Sequence, residues 1–230
     1  MGTIALWMQT SLDGYSEGYD DDVYWPIVDE ELCAPFVSQL TDADMFLYGR
    51  KTYEIMASFW PTADRDPGIS PFYTDFARCW KRTPKLVFSR TLHSPGWDTR
   101  VVTHDLIDEV AALKATPNRK MMLFGGATTI APFIEHGLID EYRLFVHPVL
   151  LGRGRKLFPS GFDSSALQLM DVTTFDSAVV QMHYKTHRKE ASPFTGLDHR
   201  ENHRRANQCS TLPLPRPTPP DHTADWSAVI

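Results

Sequence analysis

Two hydrophobic periods alternate along residues 1–187. Ile4-Ala5-Leu6-Trp7-Met8 is a short apolar run stopped by the Asp13-Gly14 turn signal, which predicts a strand. Leu32, Phe36, Val37 and Leu40 recur at helical spacing between Asp29 and Leu40. Ala43 to Tyr48 predicts a buried strand, and Lys51 to Phe59 a helix. Phe72, Phe76 and Trp80 stand four apart and predict a helix from Pro71 to Lys81. Lys85 to Ser89 and Arg100 to Thr103 read as strands, and Asp105 to Ala115 as a helix stopped by Pro117. Lys120 to Phe124 is an apolar strand, after which Gly125-Gly126 opens a helix to His136. Glu141 to Val146 is a strand. Leu167 to Phe175 and Ser177 to Tyr184 predict two closing strands joined by a tight turn at Asp176-Ser177.

Strands that alternate with helices imply an α/β domain with a largely parallel sheet covered on both faces. The closing pair adds a C-terminal antiparallel hairpin. The pattern ends near residue 188, where Pro193, Pro213, Pro215, Pro217, Pro219 and Pro220 and the charged run from Asp198 to Arg205 replace the large aliphatics. Such a segment buries too little apolar area to offset an ordering cost of about 1–2 kcal/mol per residue. The expected organisation is one domain over 1–187 and a disordered tail over 188–230.

The composition of the 230 residues, 42% hydrophobic and 23% charged, is that of a globular protein. The net charge of −6 disfavours a general nucleic-acid binder but leaves room for a local basic pocket. Cys33, Cys79 and Cys209 form neither a CxxC pair nor a disulfide framework, which fits a reducing cytosol. The N-terminus lacks the charged flank and apolar run of a signal peptide, and no apolar stretch approaches the ~20 residues that span a bilayer. The expectation is a cytoplasmic protein with a small-molecule substrate and neither a nucleic-acid nor a membrane partner.

In open α/β sheets ligands bind at the carboxyl ends of strands, so the strand-to-helix turns carry the candidate chemistry. Gly49-Arg50-Lys51-Thr52 follows a strand: glycine permits close backbone approach, and the amides of a helix start, with Thr52 and two cations, attract phosphate. The same residues also read as a glycine turn with a solvated Arg-Lys pair. Ser89-Arg90 offers a hydroxyl and a guanidinium suited to a phosphomonoester, or is an ordinary surface turn. Gly125-Gly126-Ala127-Thr128 lets a pyrophosphate reach a helix N-terminus, or merely lets helix and sheet pack closely. Neither a Walker A loop nor a GxGxxG fingerprint fits, and His199 and His203 sit in the expected tail, so no metal site is expected.

Taken in order, Ser11-Leu12-Asp13-Gly14, Gly49 to Glu54, Ser89-Arg90 and Phe124 to Thr128 resemble the dihydrofolate reductase-like superfamily. The stretch Leu138 to Leu144, continued through His147-Pro148-Val149-Leu150-Leu151-Gly152-Arg153-Gly154 to Leu157-Phe158, is most similar to the reductase domain of the bifunctional riboflavin deaminase-reductase and its stand-alone relatives. The resemblance covers residues 1–187. It implies a three-layer domain with a mixed, mostly parallel central sheet, and an NADPH-dependent reductase. Gly49, Arg50, Lys51 and Thr52 match the cofactor-phosphate turn; Ser89 and Arg90 match the 2′-phosphate clamp. Gly125, Gly126, Ala127 and Thr128 match the turn beneath the pyrophosphate and nicotinamide. A homodimer is also implied, with the closing strand pair as its interface.

Folate-reducing members carry a pterin-binding carboxylate on the helix after the first loop. The best register here puts Leu32 at that position, and a one-residue slip would put Glu31 there. Asp13 is the expected proton donor, directly or through a water, although Asp before Gly is also an ordinary turn pair. Arg153, Arg155 and Lys156 are available to a substrate phosphate, or form a solvated loop. The H-x-E and P-C-x-x-C signature of a zinc deaminase does not occur in the chain. The expected activity is hydride transfer from NADPH to a pyrimidine-, pteridine- or carbonyl-type substrate, resembling 5-amino-6-(5-phosphoribosylamino)uracil reduction. The alternative is an NADPH-binding sensor or interaction protein without turnover.

Overall fold

A computed structural model describes residues 1–187 apart from 24, 28–30, 33–36, 38–39, 66–69 and 163–164. The expected tail and most of the predicted 29–40 helix lie outside the described residues.

The strands are β1 (Thr3–Ser11), β2 (Tyr15–Glu17), β3 (Met45–Gly49), β4 (Lys85–Phe88), β5 (Thr99–Val102), β6 (Lys120–Phe124), β7 (Glu141–His147), β8 (Arg155–Lys156), β9 (Leu167–Thr174) and β10 (Val180–Thr186). The helices are α1 (Arg50–Ala63), α2 (Pro71–Arg82), α3 (Leu106–Ala115) and α4 (Ala127–Glu135). Eight strands form one sheet in the order β5-β4-β3-β6-β1-β7-β10-β9. The first six in that order run parallel, and β10 and β9 close the sheet antiparallel.

The period of two along β1 explains the layering. Ile4 and Leu6 enter one core with Leu47, Leu123 and Leu144, beneath Val110 of α3 and Ile130 and Phe133 of α4. Trp7 enters the other with Phe46, Tyr48 and Phe124, beneath Tyr53 of α1 and Phe76 and Trp80 of α2. Both faces are covered by helices, so the central strands are apolar on both sides, as parallel strands in this setting must be. The expected three-layer, mostly parallel architecture is the one observed.

The closing hairpin turns tightly at Asp176-Ser177, as expected: Ala178 N–H donates to the Phe175 carbonyl at 2.8 Å and Phe175 N–H to the Val179 carbonyl at 3.0 Å, with Ala178 at φ +60°. Two details differ from the sequence reading. The second strand of the hairpin starts at Val180 rather than Ser177. The other is an antiparallel ribbon of β2 with β8, which pairs Tyr15 with Lys156 and Glu17 with Arg155. Its strands are too short to leave a periodic signal.

Candidate active site

Parallel strands place the carboxyl ends of β3, β4, β5 and β6 on one edge of the sheet, and α1 and α4 start there. Asp105 caps α3, its Oδ1 accepting from Ile107 N–H at 2.7 Å. Neither α1 nor α4 has a side-chain cap, so the first-turn amides at this edge are not covered by their own N-cap residues. The two helix starts are locked together. Gly126 N–H donates to Thr52 Oγ1 at 3.1 Å. Gly125 adopts φ +146°, a conformation that suits glycine, and a Cβ there would lie 3.2 Å from the Gly49 amide nitrogen. A Cβ on Gly49 would run into Thr129 Oγ1. Side chains at either glycine would fill the cradle between the turns.

A cleft of about 780 Å³ runs along this edge, lined by Gly49, Arg50, Lys51, Thr52, Ser89, Arg90, Gly126 and Thr128. The three separate turns singled out in the sequence thus meet in one place. His104, after β5, and Arg155, from β8, complete its polar wall. Ser89 Oγ accepts from the Thr91 and Leu92 amides, each at 3.1 Å, so its remaining valence is a donor. Arg90 is exposed and makes no ion pair among the described residues. Arg50 pairs with Glu54 at 3.2 Å on the solvent side of α1.

A second cavity of about 320 Å³ adjoins the first, and Glu17, Thr52, Ile55 and Gly126 line both. Its walls are aromatic: Trp7 and Phe124 from the sheet, Trp60 from α1, and Phe72 and Phe76 from α2. Trp60 packs on Phe76 with ring centroids 4.0 Å apart. Gly125 lines this cavity rather than the cleft. Leu32, 2% exposed, also lines it, while Glu31 faces elsewhere and accepts from the Asp176 amide at 2.9 Å. The residue that the expected register puts at the pterin-binding position is thus an apolar part of the wall.

Asp13 lines neither cavity. Its carboxylate accepts from Ser11 Oγ at 2.6 Å, Leu151 N–H at 3.1 Å and Gly152 N–H at 2.8 Å. The Ser11 hydroxyl bond, helped by the two amides, pulls its pKa down to about 2. A carboxylate so held is ionised at neutral pH and ties the first loop to the Leu151-Gly152 turn.

The carboxylate that does reach the site is Glu17, only 8% exposed. Its Oε1 accepts from Ala127 N–H at 3.0 Å and its Oε2 from Arg155 Nε at 3.0 Å. The α4 amide expected to serve a pyrophosphate is thus occupied by a side-chain anion, with which an incoming phosphate would compete. No sequence signal marked Glu17, because its role depends on the β2–β8 ribbon. Among the described residues no cluster of His, Cys, Asp or Glu is suited to a metal ion.

The residues present fit a dinucleotide: a cradle between two glycine turns, the start of α1 without a side-chain cap, and at one end a hydroxyl and a guanidinium that makes no ion pair among the described residues. Residues 3–181 match the model of the RibD C-terminal domain family. An uncharacterized protein of Bacillus subtilis (strain 168), YyaP, is 35% identical over 184 residues, covering 79% of this chain and 93% of its own length. Among solved structures, Acinetobacter baumannii RibD superposes with a TM-score of 0.62 at 17% identity, over 82% of this chain and 59% of that one. Dihydrofolate reductase from Enterococcus faecalis, solved with NADP(H) and RAB-propyl, superposes with a TM-score of 0.54 at 13% identity, over 81% of this chain and 97% of that one.

Proposed function

We propose that this chain, which belongs to the RibD C-terminal domain family, is a reductase that uses NADPH to reduce a small planar substrate. The observation that carries the reading is the junction of the phosphate-ready cleft with an aromatic cavity at Gly125-Gly126. In this reading Gly49 to Thr52, Gly126 and Thr128 hold the cofactor's diphosphate, and Ser89 and Arg90 hold its 2′-phosphate. Among the described residues Arg90 has no carboxylate to satisfy, so a terminal phosphate is its natural counter-ion. Bound there, NADPH supplies a hydride from its nicotinamide ring. Trp7, Trp60 and Phe72 orient a flat substrate against that ring and exclude water, which fixes the approach distance at roughly 3–3.5 Å. Glu17 lines both compartments and, among the described residues, is the carboxylate that does so.

The second compartment favours turnover over a sensor without chemistry, since a sensor has no need of a shaped pocket beside the cofactor. We place the protein in the cytoplasm as a homodimer. The edge strand β9 carries exposed Leu169, Met170 and Val172, an apolar face suited to a second copy.

The test is a screen for NADPH oxidation with ribosylaminopyrimidines, pterins and small carbonyl compounds. Oxidation that requires one of these compounds supports the reading. Absence of both turnover and NADPH binding overturns it.

A further inference from the structure

The aromatic cavity holds few polar side chains, and most are already committed. Glu17 accepts from Ala127 and Arg155, and Ser16 Oγ donates to the Arg155 carbonyl at 3.4 Å. Gln9 is different. It follows Trp7 by two residues on β1, shares that face of the sheet, and lines the cavity.

Its orientation follows from His147, the last residue of β7, which is 1% exposed. The Ile27 backbone N–H reaches His147 Nδ1 at 3.4 Å. An amide N–H only donates, so Nδ1 is the bare nitrogen and the neutral ring carries its proton on Nε2. Nε2 lies 2.6 Å from Gln9 Oε1 and therefore donates to it. Burial lowers the His147 pKa below its ordinary value and keeps the ring in this neutral form. Trp25 packs edge-on against the ring, with centroids 5.3 Å apart, and resists a ring flip. With its oxygen held by His147, the Gln9 carboxamide presents its NH2 group away from the histidine. That group has no hydrogen-bond partner among the described residues.

We propose that Gln9 is a specificity-determining residue whose Nε2 amide reads a carbonyl oxygen or bare ring nitrogen on the edge of a planar heterocyclic substrate, and that His147 is the positioning residue that fixes its orientation. The proposal rests on the reductase reading of the same cavity and narrows its substrate to one with an acceptor edge. A ligand with an amino group there meets donor with donor, and the unpaired NH2 penalises it.

Two probes of nearly equal shape separate the cases. Lumazine carries ring carbonyls where 2,4-diaminopteridine carries amino groups. Calorimetric titration of the full chain with each, with and without NADPH, should give wild type a preference for lumazine of about tenfold. Gln9→Glu keeps the acceptor for His147 but turns the free donor into an acceptor, and should reverse that preference. Gln9→Met removes the donor without adding charge and should abolish the preference. His147→Phe should weaken it while leaving NADPH affinity unchanged. Equal binding of both probes by wild type, an unaltered ratio in Gln9→Glu, or no lumazine binding would overturn the proposal. NADPH affinity, titrated alone on the same samples, isolates the other reading: reversal of probe preference without NADPH binding sinks the reductase and leaves Gln9 standing.

Discussion

The cleft and the cavity share Glu17, Thr52 and Gly126, yet they are built in opposite ways. The cleft is floored by backbone, with turns between a strand and a helix, amides at helix starts, and glycines that let two turns touch, and takes its side-chain donors from Ser89 and Arg90 at one end. The cavity is made of side chains that arrive from β1, α1, α2 and β6 and meet only in the folded chain. Recognition by backbone tolerates few sequences, because a turn geometry has few solutions. Recognition by a side-chain wall tolerates many, because any large apolar residue in the right place contributes area. A cofactor common to many reactions suits the first construction, and a substrate particular to one suits the second.

The largest expected effect attacks the seam between the compartments. Gly125→Ala forces a side chain into φ +146° against the Gly49 amide, and should cost about 1–3 kcal/mol of stability and abolish NADPH binding. Denaturant unfolding and a ligand titration check both halves; a variant that still binds NADPH normally would dissolve the seam. Arg90→Ala should weaken NADPH about 10–100-fold and leave NADH unchanged, because the exposed guanidinium has only the 2′-phosphate to lose. Phe72→Ala should weaken pterin binding about tenfold while the NADPH Kd stays constant, which would sharpen the division between backbone and side-chain recognition. Glu17→Gln removes the anion at the start of α4, so NADPH should bind about 2–5-fold more tightly.

The smallest effect is one of pH. Burial depresses the folded pKa of His147 from its ordinary 6.5, so the unfolded chain binds the proton more readily. The stability contributed by the neutral ring is present above pH 6.5 and is lost as the pH falls from there through the folded pKa. The difference in melting temperature between wild type and His147→Phe should therefore change in this window and level off above it.

How much was legible in the sequence follows the same division. The buried parallel strands are legible as apolar runs, and two of the three candidate turns as glycines between strand and helix; Ser89-Arg90, between β4 and β5, is legible only as a hydroxyl and a guanidinium at a strand end. Leu32 was located by register alone, and the structure puts it in the cavity wall while Glu31 bonds Asp176. Asp13 was chosen for its place in a family segment. What it does depends on the Leu151 and Gly152 amides, which lie 138 and 139 residues away. Glu17 and Gln9 carry no local signal, and His147 enters only as one residue of the family stretch, since each acquires its meaning from a partner distant in the chain. The Phe72, Phe76 and Trp80 stripe predicts a helix and no more. Phe76 and Trp80 are core, but Phe72 and Phe76 also face the cavity. Helical periodicity reports which face is buried, not whether it is buried against protein or around a ligand.

The central claim is that this edge of the sheet is a dinucleotide site that distinguishes NADPH by its 2′-phosphate. The most direct measurement is a parallel titration of the protein with NADPH and NADH, following quenching of its tryptophan fluorescence. The expected result is saturable binding of NADPH and much weaker binding of NADH, with the difference lost in Arg90→Ala. Binding of neither nucleotide, or equal binding of both by the wild type, would contradict it.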